Sequence, residues 1–123
     1  MKTKNYMLYE YMLSCVKVYN GEVFALKIAE AFPFYDFNDD MALVYMENVI
    51  NDYYNNSNDK ETIILLYDLL LKKSDEASLK YDIYSRKYHF IAFTLEEMEK
   101  AKQDMLPELN RLYSEYQNSK FED

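Results

Sequence analysis

Apolar residues recur at three- and four-residue intervals along most of this chain of 123 residues, and that period predicts helices. Over residues 5–19 the positions Met7, Leu8, Tyr11, Met12, Cys15 and Tyr19 follow it, and Asn20-Gly21 can end the helix with a left-handed residue. A hairpin across VKVYNGEVFA is the rival reading, because Asn-Gly is also a strong hairpin turn. Over residues 22–32, Phe24, Ile28 and Phe32, with Leu26 and Ala29 beside them, lie along one side of a short helix that must stop before Pro33. The aromatic connector FPFYDF follows.

Residues 39–54 divide into two stripes. Ala42, Met46, Val49, Ile50 and Tyr53 form the apolar one, and Asp40, Glu47, Asn48, Asn51, Asp52 and Asn55 the polar one. After the polar break YYNNSNDKE, Asn58 with Glu61 makes a capping pair for a helix over 59–73. That helix is apolar on nearly every side except at Asp68, which is the pattern of a central helix in a bundle. Residues 80–93, KYDIYSRKYHFIAF, are rich in β-branched and aromatic side chains and partly alternate, which suggests two short strands around Ser85-Arg86-Lys87. Thr94 with Glu97 forms a capping box. The last helix carries Leu95, Met98, Met105, Leu109, Leu112 and Tyr116, and Pro107 is expected to kink or divide it.

The expected fold is therefore mainly α: one domain over 1–123, a bundle of about five helices packed around the Ile63–Leu71 segment, with a short β-hairpin near residues 80–93. The expected core includes Leu8, Met12, Ile28, Met46, Ile50, Ile63, Leu66, Leu70, Leu109 and Leu112. A single Gly and two Pro are too few turn-formers for an all-β domain. Half the residues are apolar, which is incompatible with an intrinsically disordered chain.

Charge narrows the function. The net charge is −8, and of the 14 basic residues only Arg86 and Arg111 are arginine, so direct nucleic-acid binding is not expected. The lysines of the N-terminus resemble those of a secretory leader, but Glu10 interrupts the apolar run and no small-residue cleavage site follows, so a cytoplasmic protein is expected. The longest apolar run, TIILLYDLLL, is half the length of a membrane span. Cys15 has no internal disulfide partner and reads as a small buried hydrophobe.

Candidate chemistry is sparse. In DFNDDMALVYME, Asp36, Asn38, Asp40 and Glu47 stand at positions one, three, five and twelve of a calcium loop. Position six, which needs glycine for its positive φ, is Met41, and Pro33 interrupts the incoming helix. The same letters read as a helix start: Asn38 as cap, with Asp39 and Asp40 in the first turn near the positive end of the dipole. No metal or cofactor is expected. One His and one Cys do not make a common zinc site, and His89 reads as a packed or surface histidine. A lone Gly cannot make a phosphate-binding loop. A carboxylate-based hydrolase is the enzymatic alternative, with nothing specific behind it.

One feature stands out. Between Lys27 and Lys60 there is no Lys or Arg, while Glu30, Asp36, Asp39, Asp40, Glu47, Asp52 and Asp59 are acidic and seven aromatic residues, Phe32 to Tyr54, share the segment. Tyrosine beside acid is typical of a protein-binding face, and Asp36, Asp39, Asp40, Tyr45, Glu47, Asp52, Tyr53 and Tyr54 are the candidate partner-binding residues. The expected function is a non-catalytic interaction module whose partner is a basic protein. Its most specific form is an acidic inhibitor or nucleic-acid mimic that docks on a nucleic-acid-binding protein, of the type carried by phages and mobile elements. The alternative is a small helical adaptor or a homo-oligomeric regulator. Lys72, Lys73, Lys80, Arg86 and Lys87, set among Tyr81, Tyr84 and Tyr88, offer a basic patch that could meet the acidic face of a second copy in a homodimer.

Overall fold

A computed structural model describes residues 2–120. It is mainly helical: six α-helices, and no strand among the described residues. Contacts gather the chain into two compact units that divide after Lys73.

The first unit holds α1 (Lys4–Val18), α2 (Gly21–Ala31), α3 (Met41–Ser57) and α4 (Lys60–Lys72), with a 3₁₀ turn at Phe32–Phe34. Helix α1 begins where the Thr3 hydroxyl accepts the Tyr6 N–H at 3.1 Å, which satisfies an otherwise orphaned helix donor. The Asn-Gly pair makes an interhelical turn, not a hairpin, and Gly21 takes φ +58, a conformation glycine adopts without steric cost. Helix α1 packs on α3 and α2, α2 packs chiefly on α4, and α3 touches α4 to a smaller extent. Within this unit α4 thus meets chiefly α2 and is not the hub. Apolarity all round a helix does not specify which neighbour it meets, and Ile64, Leu65, Leu69 and Leu71 of α4 are only half-buried.

The core of this unit is Met12, Phe24, Ile28, Phe32, Met46, Val49, Ile50, Ile63, Leu66 and Leu70, all nearly inaccessible. Every one of the five apolar-stripe residues assigned to α3 is buried. Leu8 is half-buried, outside the core proper. Caps shift by one or two residues from their expected places. Asn58 ends α3 in the left-handed conformation at φ +53, and Asp59 caps α4, accepting from Thr62 N at 3.2 Å and from the Thr62 hydroxyl. Both turns are then tied to one side chain. The Tyr53 ring stacks on Phe24 at 4.0 Å, while its hydroxyl accepts from Gly21 N at 2.8 Å and donates to Asp59 Oδ2 at 3.0 Å.

The second unit is a helical hairpin of α5 (Ala77–His89) and α6 (Met98–Ser119), joined through a π-helical turn at Phe90–Thr94. The expected β-hairpin at 80–93 is therefore wrong. Tyr81, Tyr84 and Tyr88 are three and four residues apart, which is one stripe of a helix, and tertiary contact holds that helix: Tyr81 packs edge-on to Tyr113 and stacks with Tyr116 of α6. The Leu95 N–H reaches the Phe90 carbonyl, the five-residue step of a π turn, and Glu96 at φ +57 reverses the chain. Thr94 consequently lies in that turn, and α6 starts at Met98 behind Glu97, so the capping box expected of Thr94 and Glu97 does not form. Pro107 does not divide α6, which runs unbroken through it. Proline removes the donor to the residue four back, and since Pro107 and Gln103 are both exposed, water can satisfy the freed carbonyl. Leu112 is buried as expected, but Leu109 is half-buried. Arg111 is committed to its own helix, gripping Glu108 through two nitrogens and also pairing with Glu115.

Replacing Tyr53 with Phe keeps the stacked ring and removes the hydroxyl. It is expected to lower the unfolding free energy by about 1–2 kcal/mol, read by urea denaturation, because the Gly21 N–H and the Asp59 carboxylate lose a partly buried partner. Asp59 gives a pH test of the same node. Its pKa lies below the ordinary carboxylate value, held there first by the Thr62 hydroxyl, with the Thr62 N–H and the Tyr53 hydroxyl adding to it. A depressed folded-state pKa gives stability that is present above the unfolded value of about 3.9 and lost as pH falls through the folded one. Asp59→Asn should flatten that acid limb of the stability curve.

Candidate functional site

The acidic and aromatic segment is held by a residue outside it. Asn5 on the first turn of α1 is 2% exposed, and its amide pairs with the backbone of Asp36 as a neighbouring strand would: Asp36 N donates to Asn5 Oδ1 at 2.8 Å, and Asn5 Nδ2 donates to Asp36 O at 2.9 Å. Asn5 Nδ2 also approaches Asp39 Oδ2 at 3.3 Å. A buried amide with its oxygen and nitrogen both used carries little desolvation cost. Beyond it the two aspartates shape their own loop, Asp36 Oδ1 accepting from Asn38 N and Asp39 Oδ1 from Met41 N, each at 3.0 Å. This corrects the expected cap: Asp39, not Asn38, satisfies the first amide of α3.

The aromatic members divide between core and seam. Tyr53 is 2% exposed, with its hydroxyl bonded on both sides, so it is no part of an exposed partner-binding face. Burial follows from its place on the same stripe as Met46, Val49 and Ile50. Tyr45 is half-buried in the α1–α3 seam, stacked on Tyr9 at 4.6 Å with Tyr6 edge-on at 6.0 Å. Tyr35 lies beneath, its hydroxyl donating to Met12 Sδ at 3.3 Å. Burial pushes its pKa well above the ordinary tyrosine value, and neighbouring Tyr9 and Tyr45 add to the shift. Tyr54 is half-buried.

The acids do not form one row. Asp40 and Glu47, seven residues apart, share the exposed side of α3, whereas Asp52 stands roughly 140° round the helix from Glu47 and accepts from Asn56. What the polar and apolar stripes missed lies between the two acids. Met41 and Val44 are 42% and 40% exposed, and with Asp40, Glu47, Asn48 and Asn51 they complete the outer side of a helix that contains no Lys or Arg. Phe37, just before the helix, is 36% exposed with its ring against Phe32. The signal for Met41 and Val44 was present in the sequence: both are apolar positions that fall off the buried stripe of α3.

Other chemistry is limited. A concavity of about 450 Å³ is lined by Thr3, Lys4, Asn5, Asp36 and Asp39, where the α1 N-terminus meets the loop. Among the described residues, no three His, Cys, Asp or Glu side chains are grouped so as to hold a metal ion, and no helix is long and apolar enough to cross a membrane. Thr62 holds the Asp59 carboxyl and Arg111 the Glu108 carboxyl below the ordinary carboxylate range, opposite to the shift a general acid at neutral pH requires. No protein-family model matches the chain, and no curated protein or solved structure matches it either.

Asn5→Ala strands the Asp36 amide and carbonyl together. Amide exchange across residues 35–40 should accelerate while α4 and α6 keep their protection, and global stability should fall by about 1–3 kcal/mol.

Proposed function

We propose that this protein is a non-catalytic interaction module that docks a basic protein through the outer side of α3. The observation that supports the reading is the apolar centre of Met41 and Val44 set between Asp40 and Glu47 on a helix without a single basic residue. An interface of this kind divides the work. The exposed methionine and valine supply area that is dry once covered, and the carboxylates of a helix that carries no basic residue steer a cationic partner and set the register of docking. Asp36, Asp39 and Asp52 are engaged in local hydrogen bonds and contribute field more than contact.

The most specific form of this function is inhibition of a basic nucleic-acid-binding protein, with the acids of α3 lying in the channel that phosphates would use. A net charge of −8 favours fast encounter with such a partner and disfavours nucleic acid itself.

Two variants separate the two parts of the interface. Tagged wild type, an Asp40→Asn/Glu47→Gln variant and a Met41→Lys/Val44→Lys variant are taken through nuclease-treated lysate of the native host, and captured proteins are identified by mass spectrometry. A basic protein held in stoichiometric amount by the wild type should be lost by both variants, and its affinity, remeasured with purified components, should fall as salt rises from 50 to about 200 mM. Retention by both variants with unchanged affinity would remove α3 from the interface and with it this function.

A further inference from the structure

A second exposed surface lies on α1 and α2, and its charge pattern is of a different kind. On α1 the exposed residues Met7, Tyr11, Ser14 and Val18 follow spacings of four, three and four, so they form one seam along the helix. Met7 is 59% and Val18 72% exposed, among the most exposed large apolar side chains of the first unit. Ser14 costs this seam little, because its hydroxyl is already satisfied by the Glu10 carbonyl at 3.1 Å. Helix α2 runs beside α1 and widens the apolar surface: Lys27 lies over the Tyr19 ring at 5.4 Å, and Glu30 is near enough to contribute to the raised pKa of Tyr11, behind the Cys15 thiol that is its main cause. Val23, Leu26 and Phe34 are exposed on α2 and the turn after it.

The charges around this surface are balanced. Glu10 and Lys17 stand seven residues apart on one flank of the α1 seam, and Glu22, Lys27 and Glu30 alternate in sign along α2. A uniformly basic partner of the kind suited to α3 would gain nothing from Lys17 and Lys27. A second copy would. A two-fold axis crossing the exposed side of α1 midway between Met12 and Leu13 sets the helices antiparallel, with Met7 of one copy opposite Val18 of the other, Tyr11 opposite Ser14, and Glu10 beside Lys17. Symmetry makes each pairing twice, as an isologous interface requires. Opposite charges then flank an apolar seam, the arrangement that fixes orientation in antiparallel helix pairs. The Lys2–Glu10 ion pair at 3.0 Å does not oppose this, since both side chains are exposed and such pairs are weak.

We infer that the outer face of α1 and α2 is a homodimer interface, in which α1 meets α1 of a second copy antiparallel about a two-fold axis. This dimer is independent of the docking surface on α3.

The test is sedimentation of the full chain over a wide concentration range, with far-UV circular dichroism to confirm that each variant keeps its helix content. The wild type should show a monomer–dimer equilibrium. Glu10→Lys and Lys17→Glu each place like charges together twice, and each should raise the dimer Kd by about tenfold or more. Combined in one chain, the two changes restore opposite charges and should return the Kd to that of the wild type. The Asp40→Asn/Glu47→Gln variant on α3 should leave the Kd unaltered, which keeps this inference separate from the fate of the proposed function. A wild type that stays monomeric at every concentration overturns the inference. So does a dimer indifferent to the single changes, one that the double change fails to rescue, or one that the α3 variant dissociates.

Discussion

The hydroxyl of Tyr53 sits where two helix connections of the first unit come within reach of one side chain. It accepts from the Gly21 amide at the α1–α2 turn and donates to Asp59, the cap of α4, while its ring is stacked on Phe24. Each of these connections has little else to hold it: α2 starts without a side-chain cap, and α4 has a single one behind Asn58 at positive φ. One phenol therefore ties the α1–α2 connection to the α3–α4 connection.

With the inward side of α3 committed to Tyr53 and its stripe, the outward side is free to differ. Met41 and Val44 are tolerated there only at the cost of exposed apolar surface, and Asp40 and Glu47 flank them on a helix that carries no basic residue. The loop before α3 is fixed by another device, the strand-like pairing of Asn5 with the Asp36 backbone. Two surfaces result, an acidic one on α3 and a charge-balanced one on α1 and α2. The partners proposed for them differ accordingly, a basic protein for the first and a second copy of the chain for the other.

The second unit is built on a different economy. Helices α5 and α6 bury fewer aliphatic side chains and rely on a tyrosine cluster, with Tyr81 set between Tyr113 and Tyr116 and Tyr88 against Met98. Tyrosine contributes large area while leaving its hydroxyl at the water boundary, which suits a helical hairpin whose buried residues, Ile83, Phe90, Met105 and Leu112 among them, are few. Here the π turn and the left-handed Glu96 do the work that a glycine would ordinarily do in reversing the chain.

The sequence alone determined the helical class, because period 3.6 and the shortage of Gly and Pro leave no other economical way to satisfy the backbone. It also determined the buried stripe of α3 to the residue, since amphipathic spacing on a helix half exposed to water admits one inward face. Where propensity and pattern were ambiguous, tertiary structure decided. Residues 80–93 have the composition of strands and became helix because Tyr81 finds rings on α6. Tyr53 read equally well as core or contact residue, and only the meeting of two distant turns showed its hydroxyl to be employed inside. Asn5 carried no motif, because the value of a buried amide depends on which backbone lies opposite it, and residue 36 is far from it in the chain. Local pattern fixes what a segment is; which polar groups are spent within the fold and which are left to meet a partner depends on contacts that no local pattern encodes.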